Sequence, residues 1–319
     1  MLVNLLNTEN ITICYPEKSF CGQLTTYLFK HYNSEAEVTL FPIDFTTTIN
    51  DYGNNMHTKD VLFLDIIPSK TIEFLEDSNI YVIAYEKSLS NEELRTQDMY
   101  NYLITNNPIC EFMANHCINL HDSLWKLAHL VSDYESAKYT HFNKSEVNNI
   151  MAATFTRLDN FDSLHKFALF EELKENILTI DTLFEEGKLI NFQCSSLLQC
   201  ITEKVYISTK GYNVKELNII DTINYSDKIV NSDTMESIHN KKQIIPDIVL
   251  IDHYMSKHKQ DNTIWIFCCA HLYKSHVNLH FRTNSPDINF KDMDTFASPH
   301  KALYTIEDEI VKDWVNKYF

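Results

Sequence analysis

The stretch Ile-Thr-Ile-Cys-Tyr-Pro-Glu-Lys-Ser-Phe-Cys-Gly, residues 11–22, runs from β-prone residues through a polar turn into a helical pattern. In an α/β protein the carboxyl end of the first strand is where ligands and metal ions gather. A divalent ion there calls for histidine and aspartate, but the turn offers Pro16, Lys18 and Cys21. A second concentration of donors comprises Asp252, His253, His258, Cys268, Cys269, His271 and His276. Its spacings fit no C-x2-C…H-x3-H zinc set, and strand alternation would send Cys268 and Cys269 to opposite faces. A hydrolase triad lacks its G-x-S-x-G elbow. No P-loop occurs, and four glycines in the whole chain leave little backbone able to cradle a phosphate.

The elements that must position these residues read as an α/β fold. Residues 11–15, 37–43, 60–66 and 80–85 are predicted strands, the last two apolar enough for a parallel sheet covered on both sides. Residues 22–32 read as a helix, and Ser69 caps another. This alternation predicts a parallel, doubly wound N-terminal domain. From about 92 to 200 the pattern is mostly helical, with Leu124, Leu127, Leu130 and Val131 on one stripe. Further on, the segments KVYISTK, DIVLIDHY, TIWIFCCAHL and HVNLHFRT read as strands, with a helix over 226–240. The expected organisation is a domain over 1–185, a helical linker over 186–203 and a smaller mixed α/β domain over 204–319.

Composition narrows the functions. The chain has 319 residues, 44% of them hydrophobic, enough for two packed cores. No run of 18 apolar residues exists, so no membrane span is expected. The N-terminus lacks a basic region and cleavage site, which predicts an intracellular protein with reduced cysteines. The formal charge is −17, from 27 Lys plus Arg against 44 Asp plus Glu, and only Arg95, Arg157 and Arg282 are arginine. Duplex nucleic acid is therefore an unfavourable partner. A short nucleotide remains open, and a protein partner suits the acidic surface better. The lysine, isoleucine and asparagine usage fits an AT-rich genome, such as that of a large DNA virus.

Against this outline the chain resembles the DHH phosphoesterase superfamily, in its oligoribonuclease-like branch, over nearly its whole length. The first family motif is roughly Tyr-His-x-Asp-x-x-Asp-Gly. Tyr15 and Gly22 keep its frame, while Pro16, Lys18 and Cys21 replace its ligands. Asp65 stands at the second motif, Ala84, Tyr85 and Glu86 replace the Asp-His-His of the third, and Asp133 matches the fourth. The segment 142–151 is also similar to the family. Near the C-terminus Arg282, His300 and Ala302 match the family's Arg strand and Gly-Gly-His loop, without the glycines. The resemblance implies two-metal phosphodiester hydrolysis, with ions about 3.5–4 Å apart.

The substitutions undo that chemistry. Of the ligand set, Asp65 and Asp133 remain, with Glu86 as a third carboxylate and no imidazole. At about 4 Å and an effective dielectric near 20, a pair of unit charges is worth about 4 kcal/mol, so Lys18 would oppose a dication by about 8 kcal/mol. One expectation is an ion pair between Lys18 and Asp65 in the metal's place. The ordinary readings are turn chemistry for Asp65 and a solvated helix position for Asp133. The favoured reading is a catalytically inactive binding or structural component, without a cofactor. A second is a divergent phosphodiesterase acting on short oligonucleotides or cyclic dinucleotides, with manganese or magnesium held by Asp65, Glu86 and Asp133. A third is a nucleotide-binding module that uses Arg282 and His300.

Overall fold

The structure is a computed structural model that describes residues 8–17, 19–32, 36–43, 58–66, 78–88, 101–159, 167–198, 201–208, 211–220, 245–258, 263–270, 277–283 and 301–306. Lys18, His300 and the helices expected after Ser69 and over 226–240 lie outside the described residues. The chain divides into two compact units, one of residues 1–147 with 163–182, the other of residues 148–162 with 183–319.

The first unit holds a parallel sheet of five strands: β1 (Asn10–Pro16), β2 (Glu37–Ile43), β3 (Asp60–Leu64), β4 (Asn79–Tyr85) and β5 (Asn101–Thr105), in the order β2-β1-β3-β4-β5. The central strands are buried along most of their length, as their apolar runs require. One face gathers Cys14, Val61, Phe63, Ile80, Val82 and Ala84. Helix α1 (Phe20–Tyr32) follows β1 and packs with α2 (Ile109–His116) and α3 (Asp122–Ser136). Helix α3 buries the expected Leu124, Leu127, Leu130 and Val131 stripe.

Strand β5 corrects the expectation of helix beyond residue 92. Its five residues, Asn-Tyr-Leu-Ile-Thr, are too few to establish a period, and only Thr105 is fully buried. An edge strand with so little buried surface leaves no distinctive apolar signal.

Four further helices follow: α4 (Lys144–Asp159), α5 (Ala168–Lys174), α6 (Ile180–Leu197) and, after two strands, α7 (Asp247–Lys257). The second sheet comprises β6 (Thr202–Ile207), β7 (Asn213–Ile220), β8 (Thr263–Ala270), β9 (Val277–Thr283) and β10 (Lys301–Ile306), in the order β10-β9-β8-β7-β6. It is mixed: β7 and β8 run parallel, and the other pairs antiparallel. Trp265, Phe267 and Phe281 are fully buried in it.

Helix α7 corrects the strand expected from DIVLIDHY. An apolar run of that length is ambiguous between the two states. Pro246 at the N-cap, extended at φ −61° and ψ 147°, and Asp247 in the first turn start a helix that buries Val249, Leu250, Ile251 and Tyr254.

Candidate functional site

The carboxyl rim of the first sheet keeps its frame. Gly22 is required there, because a Cβ would lie 2.9 Å from Cδ of Pro16. Ser19 organises the start of α1: its Oγ accepts from Gly22 N at 3.1 Å and its carbonyl from Gln23 N at 2.9 Å. Gln23 Nε2 returns to the Glu17 carbonyl at 2.6 Å. The turn is thus held by hydrogen bonds among its own residues.

The groups at the ligand positions are committed elsewhere or lack donors. Pro16 ends β1, and Ala84 is wholly buried in β4. Cys21 is 3% exposed, and a hydrogen bond with Cys110, together with burial, drives its thiol pKa well up. A protonated, buried thiol is a poor metal ligand. Tyr85 is also buried, and burial followed by the charges of Glu135, Glu86 and Asp65 raises its pKa. Glu86 is exposed in a short 3-10 turn, residues 86–88.

Asp65 joins two strand ends. Its φ of +52° is a left-handed conformation that aspartate tolerates better than most residues. In that conformation its N–H donates to Ile83 O at 2.9 Å, and its Oδ1 accepts from Tyr85 N at 2.7 Å. The turn reading of Asp65 describes this geometry. The proposed Lys18 partner lies outside the described residues.

Asp133 corrects the expectation of a solvated helix position. It is 1% exposed and serves as the anchor of the loop after α3. Oδ1 accepts from Thr140 N at 2.8 Å and the Thr140 hydroxyl at 3.0 Å; Oδ2 accepts from His141 N at 2.9 Å and Phe142 N at 2.8 Å. Burial alone would raise its pKa, but these donors outweigh it and hold the carboxyl below the usual value. Both oxygens are therefore occupied. Besides Asp65, the carboxylate whose charge reaches both Cys21 and Tyr85 is Glu135, two residues on from Asp133, which sequence reasoning missed. Two positions along a helix turn a side chain by about 200°, so in the segment LVSDYES Asp133 is buried against the loop while Glu135 is exposed.

The divalent set Asp65, Glu86 and Asp133 does not assemble. Among the described residues, the His, Cys, Asp or Glu side chains whose donor atoms converge within 4.8 Å are Glu111, His129 and His141. The rim thus does not present, among the described residues, the converging carboxylates and imidazoles that paired dications need.

In the second unit Arg282 lies within β9, 6% exposed, with Nη1 donating to Phe281 O at 2.9 Å. Its neighbour His280 places Nε2 3.5 Å from Asp247 Oδ2. His253, from the donor-rich stretch, lies between Ser195 Oγ at 2.8 Å and Asn191 Oδ1 at 3.0 Å. Though the order resembles a nucleophile, base and orienter, burial and Lys257 lower the His253 pKa to about 4, unsuited to a base at neutral pH. Lys257 Nζ also donates to Ser195 Oγ at 2.9 Å. These contacts pin α6 to α7.

No family model matches the sequence, and no curated protein does. Solved structures do. The CDC45 structure from Entamoeba histolytica aligns over 99% of this chain and 97% of its own, at 10% identity and a TM-score of 0.50. The pGpG-specific phosphodiesterase PggH of Vibrio cholerae aligns over 97% and 96%, at 10% identity and 0.45. An exopolyphosphatase-related protein of Bacteroides fragilis aligns over 100% and 93%, at 10% and 0.45. A parallel sheet and a separate mixed sheet, matched end to end by CDC45, show that the chain shares the fold of that protein.

Proposed function

We propose that this chain is a catalytically silent bearer of the DHH fold, acting as a binding component for another protein. The observation that carries this reading is the occupancy of the rim: Asp65 binds Tyr85 N, Cys21 is a buried thiol, Ala84 has no donor, and Asp133 is saturated by its loop. Among the described residues the acids near the rim, Asp65, Glu86 and Glu135, do not converge with an imidazole into a set that would offset two dications. A protein partner is favoured by the charge of −17, which repels phosphate backbones. Val205 and Ile207 on the edge strand β6 are 63% and 72% exposed, and offer apolar contact.

Calorimetric titration with Mn2+ tests the reading. The expected result is no Mn2+ binding that depends on Asp65, with the same isotherm for the wild type and Asp65→Asn. Two-site binding that disappears in Asp65→Asn would establish a working metal centre and reject the proposal.

A further inference from the structure

Glu111 on α2, His129 on α3 and His141 in the loop after α3 converge within the first unit. His129 is 3% exposed, yet neither Nδ1 nor Nε2 has a hydrogen-bond partner among the described residues. Its ring packs at a tilt between Trp125, at 4.0 Å between ring centroids, and His141, at 4.3 Å. Burial, followed by the neighbouring His141, lowers its pKa, which favours the neutral ring with a lone pair to offer. A buried imidazole with both nitrogens unpaired is a costly arrangement that a bound ion would relieve.

The other two donors are aimed by a surrounding shell. Glu111 is 6% exposed; Asn107 Nδ2 donates to its Oε1 at 2.9 Å, and Ser132 Oγ donates to its Oε2. His141 Nε2 lies 4.0 Å from Glu111 Oε1. On the other side of the His141 ring, Nδ1 lies 3.3 Å from Asp133 Oδ1. A carboxylate behind one nitrogen of a histidine, with the other nitrogen turned to the site, is the usual support of a metal-bound imidazole.

We propose that Glu111, His129 and His141 bind one Zn2+ ion, which ties α2 and α3 to the loop that follows. Two imidazoles and one carboxylate are a zinc donor set, with a fourth position for water. Zinc bonds of about 2.0–2.2 Å put tetrahedral ligands about 3.4 Å apart. The donors start within 4.8 Å, and His141, one-third exposed on a loop, supplies the adjustment. None of its three ligands is among the positions Pro16, Cys21, Asp65, Ala84, Glu86 and Asp133, although Asp133 supports His141 from behind.

The test is titration of chelator-treated full-length protein with zinc chloride, by calorimetry and thermal unfolding. One ion per chain and a raised melting temperature are expected. His129→Phe keeps an aromatic ring between Trp125 and His141 and removes both donors; His141→Ala removes an exposed loop ligand without opening the core. Each is expected to weaken zinc binding by roughly 100-fold or more. Absence of zinc binding in the wild type, or wild-type affinity in either variant, overturns the assignment. These outcomes are read with zinc at the α2–α3 site, so they leave the Mn2+ result at Asp65 to stand or fall by itself.

Discussion

At the residue scale, two aspartates kept from a metal-binding pattern do structural work. Asp65 closes β3 onto β4 through Tyr85 N. Asp65→Ala leaves that donor unpaired and puts alanine at φ +52°; chemical denaturation is expected to show a loss of about 1–3 kcal/mol, with Asp65→Asn closer to wild type. Asp133 makes a sharper case because it titrates. Its folded-state pKa lies below its unfolded value, so its contribution is complete above the ordinary carboxylate pKa near 4 and disappears as pH falls through the folded value. Asp133→Asn should therefore cost about 1.5–3 kcal/mol at pH 7 and progressively less below about pH 4. Urea unfolding across that range measures the convergence; a pH-independent difference would contradict the carboxylate's role.

At the element scale, close approach is what the sequence hides best. Helices α4 and α6 meet at Gly187, where an added Cβ would stand 1.7 Å from the Asn149 carbonyl oxygen. Asn191 Nδ2 donates to Asn149 Oδ1 at 2.8 Å beside this contact, and Arg157 Nε to Glu186 Oε2 at 2.8 Å. Gly187→Ala must move backbone, and is expected to destabilise by about 1–3 kcal/mol or more, seen as a lowered urea midpoint. The central strands and the α3 stripe were legible because their apolar patterns are long and continuous. Strand β5 was not, since it is short and half-covered, and α7 was not, since a buried apolar run has no period of its own. The close contact at Gly187 depends on a residue distant in sequence and leaves no local trace.

At the scale of the whole molecule, the motif frame could be followed through Tyr15, Gly22 and Asp65, and it led to the observed fold. The candidate site was only partly legible. The loss of ligands at 16, 21 and 84 could be read from residue type alone, whereas the burial of Asp133 and the facing of Glu135 depend on the path of the loop after α3. The cluster of Glu111, His129 and His141 escaped notice because its members come from two helices and a loop, at no zinc-like spacing. The proposed function rests on a sheet rim whose groups are engaged in hydrogen bonds of their own. Incubation with a linear dinucleotide and excess Mn2+, followed by chromatography, tests that claim most directly. The account predicts no product beyond the level of Asp65→Asn; metal-dependent cleavage by the wild type that Asp65→Asn abolishes would contradict it.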